Sequence, residues 1–331
     1  MPYTLTRTSS ILAVSVAVVL AIVVYVATFR GENIVTVINS RVFASPSPKL
    51  ATMLFVGDVM LSRSVGDYMQ KLGDFAYPFR GIADTLREAD LTFANLESPV
   101  SARGVNVGSK YSFRADPRVM EGLQYAGIDV VSLANNHIWD YGREAFLDTM
   151  KHLREGGIEY VGAGHTAQEA HQGVMRRVGD ADVVILAYTN LISARVAATD
   201  TEPGVAYLNT DQMVHDVANA DARGDIVVVS FHWGDEYQQQ HNVQQERIAM
   251  AAIDAGADLI IGHHPHVIQE VKQYRDGWIA YSLGNFIFDQ TFSEETMRGL
   301  ALRVTLEGTR IDRVESLGVS ISRQYQPSLN P

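Results

Sequence analysis

Short, almost unbroken apolar runs that each end in a knot of polar residues constrain this chain most. Asp225-Ile226-Val227-Val228-Val229-Ser230-Phe231 and Asp258-Leu259-Ile260-Ile261 are the strongest. Their β-branched residues do not alternate with polar ones, as expected of strands buried on both faces. Thr52–Val56, Leu91–Ala94, Asp129–Leu133 and Asp182–Leu186 are shorter runs of the same kind. Between the runs, apolar residues recur at helical spacing. Val119, Leu123 and Ala126 form one set, and Phe146, Met150 and Leu153 another, stopped by Gly156-Gly157. Asn242 to Ala255 reads as a third helix, ended by Gly256. Alternation of strand and helix predicts an α/β fold. Val267–Tyr274, Trp278–Ser282, Leu300–Leu306 and Arg310–Val319 read as strands with short turns, Asp276-Gly277 marking one hairpin. They predict a second sheet packed on the first.

In open α/β sheets the ligand crevice lies beyond the carboxyl ends of the strands. Five strands here end in chemistry: Asp58, Asn95-Leu96-Glu97, Asn135-Asn136-His137, His232 with Glu236 soon after, and His263-His264-Pro265-His266. Three histidines within four positions suit metal ligation, with a hydrogen-bonded loop as the alternative. Asp58 is a ligand or a helix cap, and Glu97 a bridge between cations or a solvated charge. Asn135 and Asn136 tolerate turns, yet they also offer neutral oxygens beside His137, whose imidazole suits general acid or base work. His232 reads as a ligand with Glu236 as a supporting carboxylate. Ser282 and Asn285, after the strand ending at Tyr281, either line the crevice or merely form a turn. His152, His165, His171, His215 and His241 read as surface residues.

Composition narrows the chemistry. Cysteine is absent, so disulfides, thiolate nucleophiles and Cys-bound zinc are excluded. The formal charge is −11 and no Lys/Arg run marks a nucleic-acid surface, so no nucleic-acid partner is expected. An acidic protein needs a local cation to hold an anion. Ile11 to Phe29 carries no charge and is long enough to cross a bilayer as a helix. It reads as an uncleaved signal anchor, with the domain on the extracytoplasmic side of the cell membrane. The expected organisation is tip and anchor over 1–30, a spacer over 31–50 that ends in Ser45-Pro46-Ser47-Pro48, a domain over 51–322 and a tail over 323–331.

The ordered segments Phe55-Val56-Gly57-Asp58, Asn95-Leu96-Glu97, Asn135-Asn136-His137 with Asp140-Tyr141-Gly142, His232-Trp233-Gly234, Gly262-His263-His264-Pro265-His266 and Tyr281–Phe286 with Asp289 resemble the CapA family of poly-gamma-glutamate capsule proteins. That family is similar in turn to calcineurin-like metallophosphoesterases. The resemblance implies a four-layer α/β/β/α sandwich holding one or two divalent metals (Mn, Zn or Fe). It implies Asp58, Glu97, Asn136, His232, His264 and His266 as ligands and His137 as catalytic acid. Asn95, Asn135, His263, Glu236, Ser282 and Asn285 would support the ligands or touch substrate. Met60 stands where the larger superfamily has a histidine, and Glu97 where it has a bridging aspartate. The implied activity is metal-assisted hydrolysis of a phosphoester or of an anionic polymer, in poly-gamma-glutamate synthesis, release or processing. The alternative is a non-catalytic accessory that holds the polymer for a membrane synthesis or export complex.

Overall fold

A computed structural model describes residues 50–330. They adopt the mixed α/β class. Strands β1 (Leu50–Val59), β2 (Leu91–Leu96), β3 (Val130–Ser132) and β4 (Glu159–Val161) run parallel in the first sheet. The second sheet centres on β7 (Ala181–Thr189), β9 (Ile226–His232) and β10 (Leu259–His263), also parallel. Side chains alternate between two apolar environments along these strands. Met53, Phe55, Phe93, Val183, Ile185, Val228, Leu259 and Ile261 meet between the sheets. Leu54, Val56 and Val131 instead face helices α1 (Arg63–Leu72), α3 (Val119–Ala126) and α4 (Gly142–Glu155). Val184, Val227, Val229 and Ile260 face α6 (Thr210–Asp221) and α7 (Val243–Asp254). Strands buried on both sides have no polar face to show, which explains their unbroken apolar runs.

The helix ends follow the local sequence. Asn242 caps α7 in a capping box with Gln245, and Gly127 ends α3 in a left-handed conformation. The C-terminal third departs from expectation. It does not form one sheet of its own. The hairpin β11 (Val271–Tyr274) and β12 (Gly277–Ala280) extends the second sheet, whereas β14 (Arg298–Glu307) pairs antiparallel with β1 in the first and β15 (Arg310–Ile321) pairs antiparallel with β14. The hairpin turns on Arg275-Asp276, one residue before the expected pair, with Arg275 in the left-handed region. Residues 323–331, read as a tail, contribute β16 (Pro327–Leu329), which pairs with β15; the boundary at 322 falls short of this strand. No helix among the described residues is long and apolar enough to cross a membrane. The anchor Ile11–Phe29 and the spacer lie outside the described residues, apart from Leu50, which opens β1.

One device recurs at the amino ends of the parallel strands. Asp90, Asp129, Asp225 and Asp258 each stand just before a strand. Each backbone N–H donates to the neighbouring strand, at Thr52, Thr92, Asp182 and Val227 respectively. Each carboxylate accepts the N–H of that same residue at 2.8 Å. The double bond fixes parallel register at one end and leaves the carboxyl ends free for the site. Burial pushes the Asp258 carboxyl up to about 6 from 3.8, despite the Val227 N–H that favours its charged form. The folded protein therefore holds this proton where the unfolded chain has lost it, and stability falls as pH rises through the window from about 4 to about 6. Asp258→Asn should remove that slope. Urea melts should show the variant gaining on the wild type by on the order of 1 kcal/mol between pH ~4 and ~7. Parallel pH profiles would refute this.

Candidate metal centre

Asp58 leaves β1 beside Asn95 of β2, in register with it. His263 ends β10 in register with His232 of β9. The two sheets thus present their carboxyl ends to one crevice. Gly57 and Gly262 permit the close approach. A Cβ on Gly57 would lie 2.0 Å from the Gly284 carbonyl, and one on Gly262 1.9 Å from that of Tyr281. His264 and His266 have φ of 94° and 58°. Such left-handed backbone is costly for side-chain-bearing residues and clusters at functional sites.

Asp58, Glu97 and His266 are buried and offer ligand atoms that all lie within 4.8 Å of one another. Glu236, His264 and His266 form a second such group, so His266 belongs to both. Glu236, expected only as a supporting carboxylate, is exposed and stands in the ligand position of that second group. His232 joins through its neighbours: its Nε2 lies 2.8 Å from Asn136 Oδ1 and its ring centroid 4.9 Å from that of His264. Asn95 sits at the middle. Its amide donates to Asp58 Oδ1 at 2.8 Å and to Glu97 Oε2 at 3.2 Å, and lies 3.3 Å from His232 Nδ1.

The electrostatics suit a cation. Burial would raise Asp58, but His263 and His266 outweigh it and hold the carboxyl well below the usual range. Burial and the charge of Asp58 push Glu97 well above it. Burial, with His264 alongside, holds His232 well below its ordinary value. Burial and His266 push His264 down to about 3. Neutral imidazoles keep a lone pair for a metal. Glu97 Oε1 and His264 Nδ1 are buried without a hydrogen-bond partner. Such atoms are rare in native proteins, and a divalent ion would satisfy them. The donor set of carboxylate, imidazole and amide oxygen, without sulfur, fits such an ion.

The remaining predicted residues surround this group. Asn135 donates to Asn95 Oδ1 and to the Leu96 carbonyl, and its own oxygen accepts the His137 N–H. His263 lies behind Asp58, its Nδ1 3.3 Å from Oδ1. Asn285 Oδ1 lies 3.0 Å from His266 Nδ1. Ser282 is buried, and its hydroxyl is taken up by the carbonyl of Val267, next to His266, and by the Gly284 N–H of its own turn. Met60 is fully buried in the helix-side core, its sulfur turned to Ser62, and supplies nothing to the site. His152, His171 and His241 are not free surface residues, since each is partly buried against a carboxylate.

His137 stands at the edge of the cluster, its Nε2 4.0 Å from Glu97 Oε1. Its Nδ1 lies 2.7 Å from Asp140 Oδ2, and its ring stacks on Phe113 at 3.8 Å. Neither Asp140 nor Phe113 was picked out for this position from sequence. The i,i+3 spacing of His137 and Asp140 was the available signal, whereas Phe113 comes from a distant loop with no local mark.

The profile of the family described as bacterial capsule synthesis protein PGA_cap matches residues 52–290. The capsule biosynthesis protein CapA of Bacillus anthracis is 37% identical over 247 residues, covering 72% of this chain and 60% of that protein. The PGA biosynthesis protein CapA of Bacillus subtilis is 32% identical over 239 residues, covering 71% and 63%. The chain thus spans less than two thirds of the length of these two relatives. A probable polyglutamine synthesis accessory protein of Mycobacterium tuberculosis is 30% identical over 288 residues, covering 73% and 76%. Among solved structures, the calcineurin-like phosphoesterase YfkN of Bacillus subtilis aligns with a TM-score of 0.46 at 13% identity, over 83% of this chain and 91% of that one. Because the family profile takes in every strand end that builds the crevice, from Asp58 to Asn285, the chain belongs to the bacterial capsule synthesis protein PGA_cap family.

Proposed function

We propose that this domain is a divalent-metal-dependent hydrolase acting on poly-gamma-glutamate during synthesis, release or processing of a capsule-type polymer. One observation carries the reading. Buried Asp58 and Glu97 share ligand distance with His266, Glu97 Oε1 has no hydrogen-bond partner, and a His–Asp pair stands at their edge. The layering of two sheets between helices supports a metallophosphoesterase-type sandwich as the scaffold. The relatives named for capsule and PGA biosynthesis support the polymer as substrate. The Ile11–Phe29 anchor would keep the domain at the outer face of the membrane, where such a polymer emerges.

Asp58, Glu97, Asn136, His232, His264 and His266, joined by Glu236, would hold the metal. When bound, a divalent ion supplies Lewis acidity and lowers the pKa of a water. The chain's own residues do the rest. Asp140 would accept from Nδ1 of His137 and so hold Nε2 toward the cluster, where a second proton on the ring would pass to the leaving group. Phe113 fixes the ring plane. Asn95 and Asn135 hold the strand ends so that the carboxylates stay in place.

A second reading has an observation of its own. Met60 removes the ligand that the larger superfamily places there, which weakens one of two metal positions and favours a domain that grips the polymer without cutting it. One relative is itself named an accessory protein.

Two experiments on the full chain decide between them. Elemental analysis after reloading with Mn, Zn or Fe should find one or two ions per chain. His264→Ala and Asp58→Asn should each lower metal content and remove the rise in Tm on metal addition. Unchanged content in both variants would remove the centre. His137→Ala should keep its metal while turnover of γ-linked glutamate oligomers falls ~10²–10⁴-fold. Asp140→Asn should fall less, with its pH–rate profile displaced. A metal-loaded wild type that cuts neither oligomers nor aryl phosphates would leave the accessory reading in its place.

A further inference from the structure

Asp289 shares in the family resemblance yet lies outside the centre described above, and its partner is Arg63. Arg63 opens α1, a few residues after Asp58. Its φ is 51°, a left-handed conformation that costs a non-glycine residue about 1–2 kcal/mol. Its Nε lies 3.2 Å from Asp289 Oδ2, and the Asp289 side chain is 2% exposed. The same oxygen accepts the Ser64 N–H at 3.3 Å. The guanidinium carbon lies 5.2 Å from the centroid of Phe113 and 5.9 Å from that of Tyr111. Phe113 is the ring stacked on His137. A buried carboxylate and two aromatic faces thus fix the plane of a cation beside the proposed proton donor.

Surface stability does not account for this arrangement. The Arg63 side chain is 39% exposed, and an ion pair so open to water contributes little. Local backbone strain works against it. With Nε turned to Asp289, the terminal nitrogens remain as a planar fork, the geometry that grips a carboxylate through two hydrogen bonds. Asp289 lies against it, and beyond Phe113 the His137 ring stands between Asp140 and Glu97, in a protein of net charge −11. A polyanion approaching such a crevice is repelled unless a fixed cation meets it.

We infer that Arg63, held by Asp289 and by Phe113 and Tyr111, receives the α-carboxylate next to the bond being cut and so selects an acidic polymer as substrate. The inference rests on the hydrolase reading and adds to it the residue that reads the substrate's charge. Asp289 is a positioning residue, acting through Arg63.

The test uses the metal-loaded full chain and two probes: a γ-linked glutamate oligomer with a chromogenic terminal amide, and the same oligomer with its α-carboxylates converted to carboxamides. The wild type should prefer the acid. Arg63→Gln should lower that preference, read as the ratio of kcat/KM values, by about 10–100-fold and mainly through KM. Arg63→Lys, which keeps the charge and loses the fork, should restore part of it. An unchanged ratio in Arg63→Gln overturns the inference. Metal content and Tm report whether that variant folds. Should it not fold, Arg63→Lys alone must lower the ratio severalfold, or the inference fails. Should the wild type cut neither probe, the hydrolase reading fails by itself, and Arg63 is judged by binding. Fluorescence anisotropy with the labelled acid oligomer should then show about tenfold weaker binding by Arg63→Gln, and equal Kd values would overturn the role.

Discussion

Two carboxylates withdrawn from water beside each other are the constraint on which this structure turns. Asp58 and Glu97 are both fully buried. Burying one ionised carboxylate is costly, and burying two together adds their repulsion. The protein meets this partly with its own groups: the Asn95 amide donates to both side chains, and His263 and His266 lie against Asp58. These do not complete the balance, since Glu97 Oε1 keeps no hydrogen bond and Glu97 is displaced toward its protonated form. His232 and His264, in the same crevice, are driven toward neutrality by burial. A set of donors that repel one another and lack protons to share is what a divalent cation stabilises.

The fold bears this cost by separating tasks along each strand. At the amino ends, aspartates lock neighbouring strands through paired backbone and side-chain bonds. Register is settled there, so the carboxyl ends need not be regular. They carry the bulge between Phe55 and Asp58, the glycines that admit the Gly284 and Tyr281 carbonyls, and the left-handed histidines. Strain at one end is tolerable because cooperative burial between the sheets and under the helices holds the other.

This division also explains what the sequence disclosed. The doubly buried strands were legible because continuous Val and Ile runs have few other uses, and their polar endings followed directly. Asp58, Glu97 and the histidines of 263–266 could be placed at one edge for that reason. The same runs begin with Asp129, Asp182, Asp225 and Asp258, but the clamping role of three of these was hidden, because it depends on which strand lies alongside. Sheet membership of the C-terminal hairpins was hidden for the same reason. Local turn signals show that 310–321 follows 298–307, and nothing local says that 298–307 pairs with β1. Ser282 could be read from sequence as a crevice or a turn residue, because its hydroxyl partners, the Val267 carbonyl and the Gly284 N–H, include one fifteen residues away. Phe113 and Arg63 lay furthest from view, since their meaning arises only where a loop and a helix start converge on His137.

Asn95 makes clear why amides, not further acids, occupy the middle. A carboxylate at this position would be a third negative group among atoms already crowded, and could not donate to the other two. An amide supplies two N–H donors and one acceptor, and here it touches Asp58, Glu97, His232 and Asn135 at once. It thereby ties a strand of the first sheet to one of the second across the crevice. Asn136 does the same from the other side, through its oxygen to His232. The neutral residues set the spacing between sheets, and the charged ones, held at that spacing, set the demand for a cation. Geometry and charge are thus assigned to different side chains, so the crevice can keep its shape while its ionisation changes.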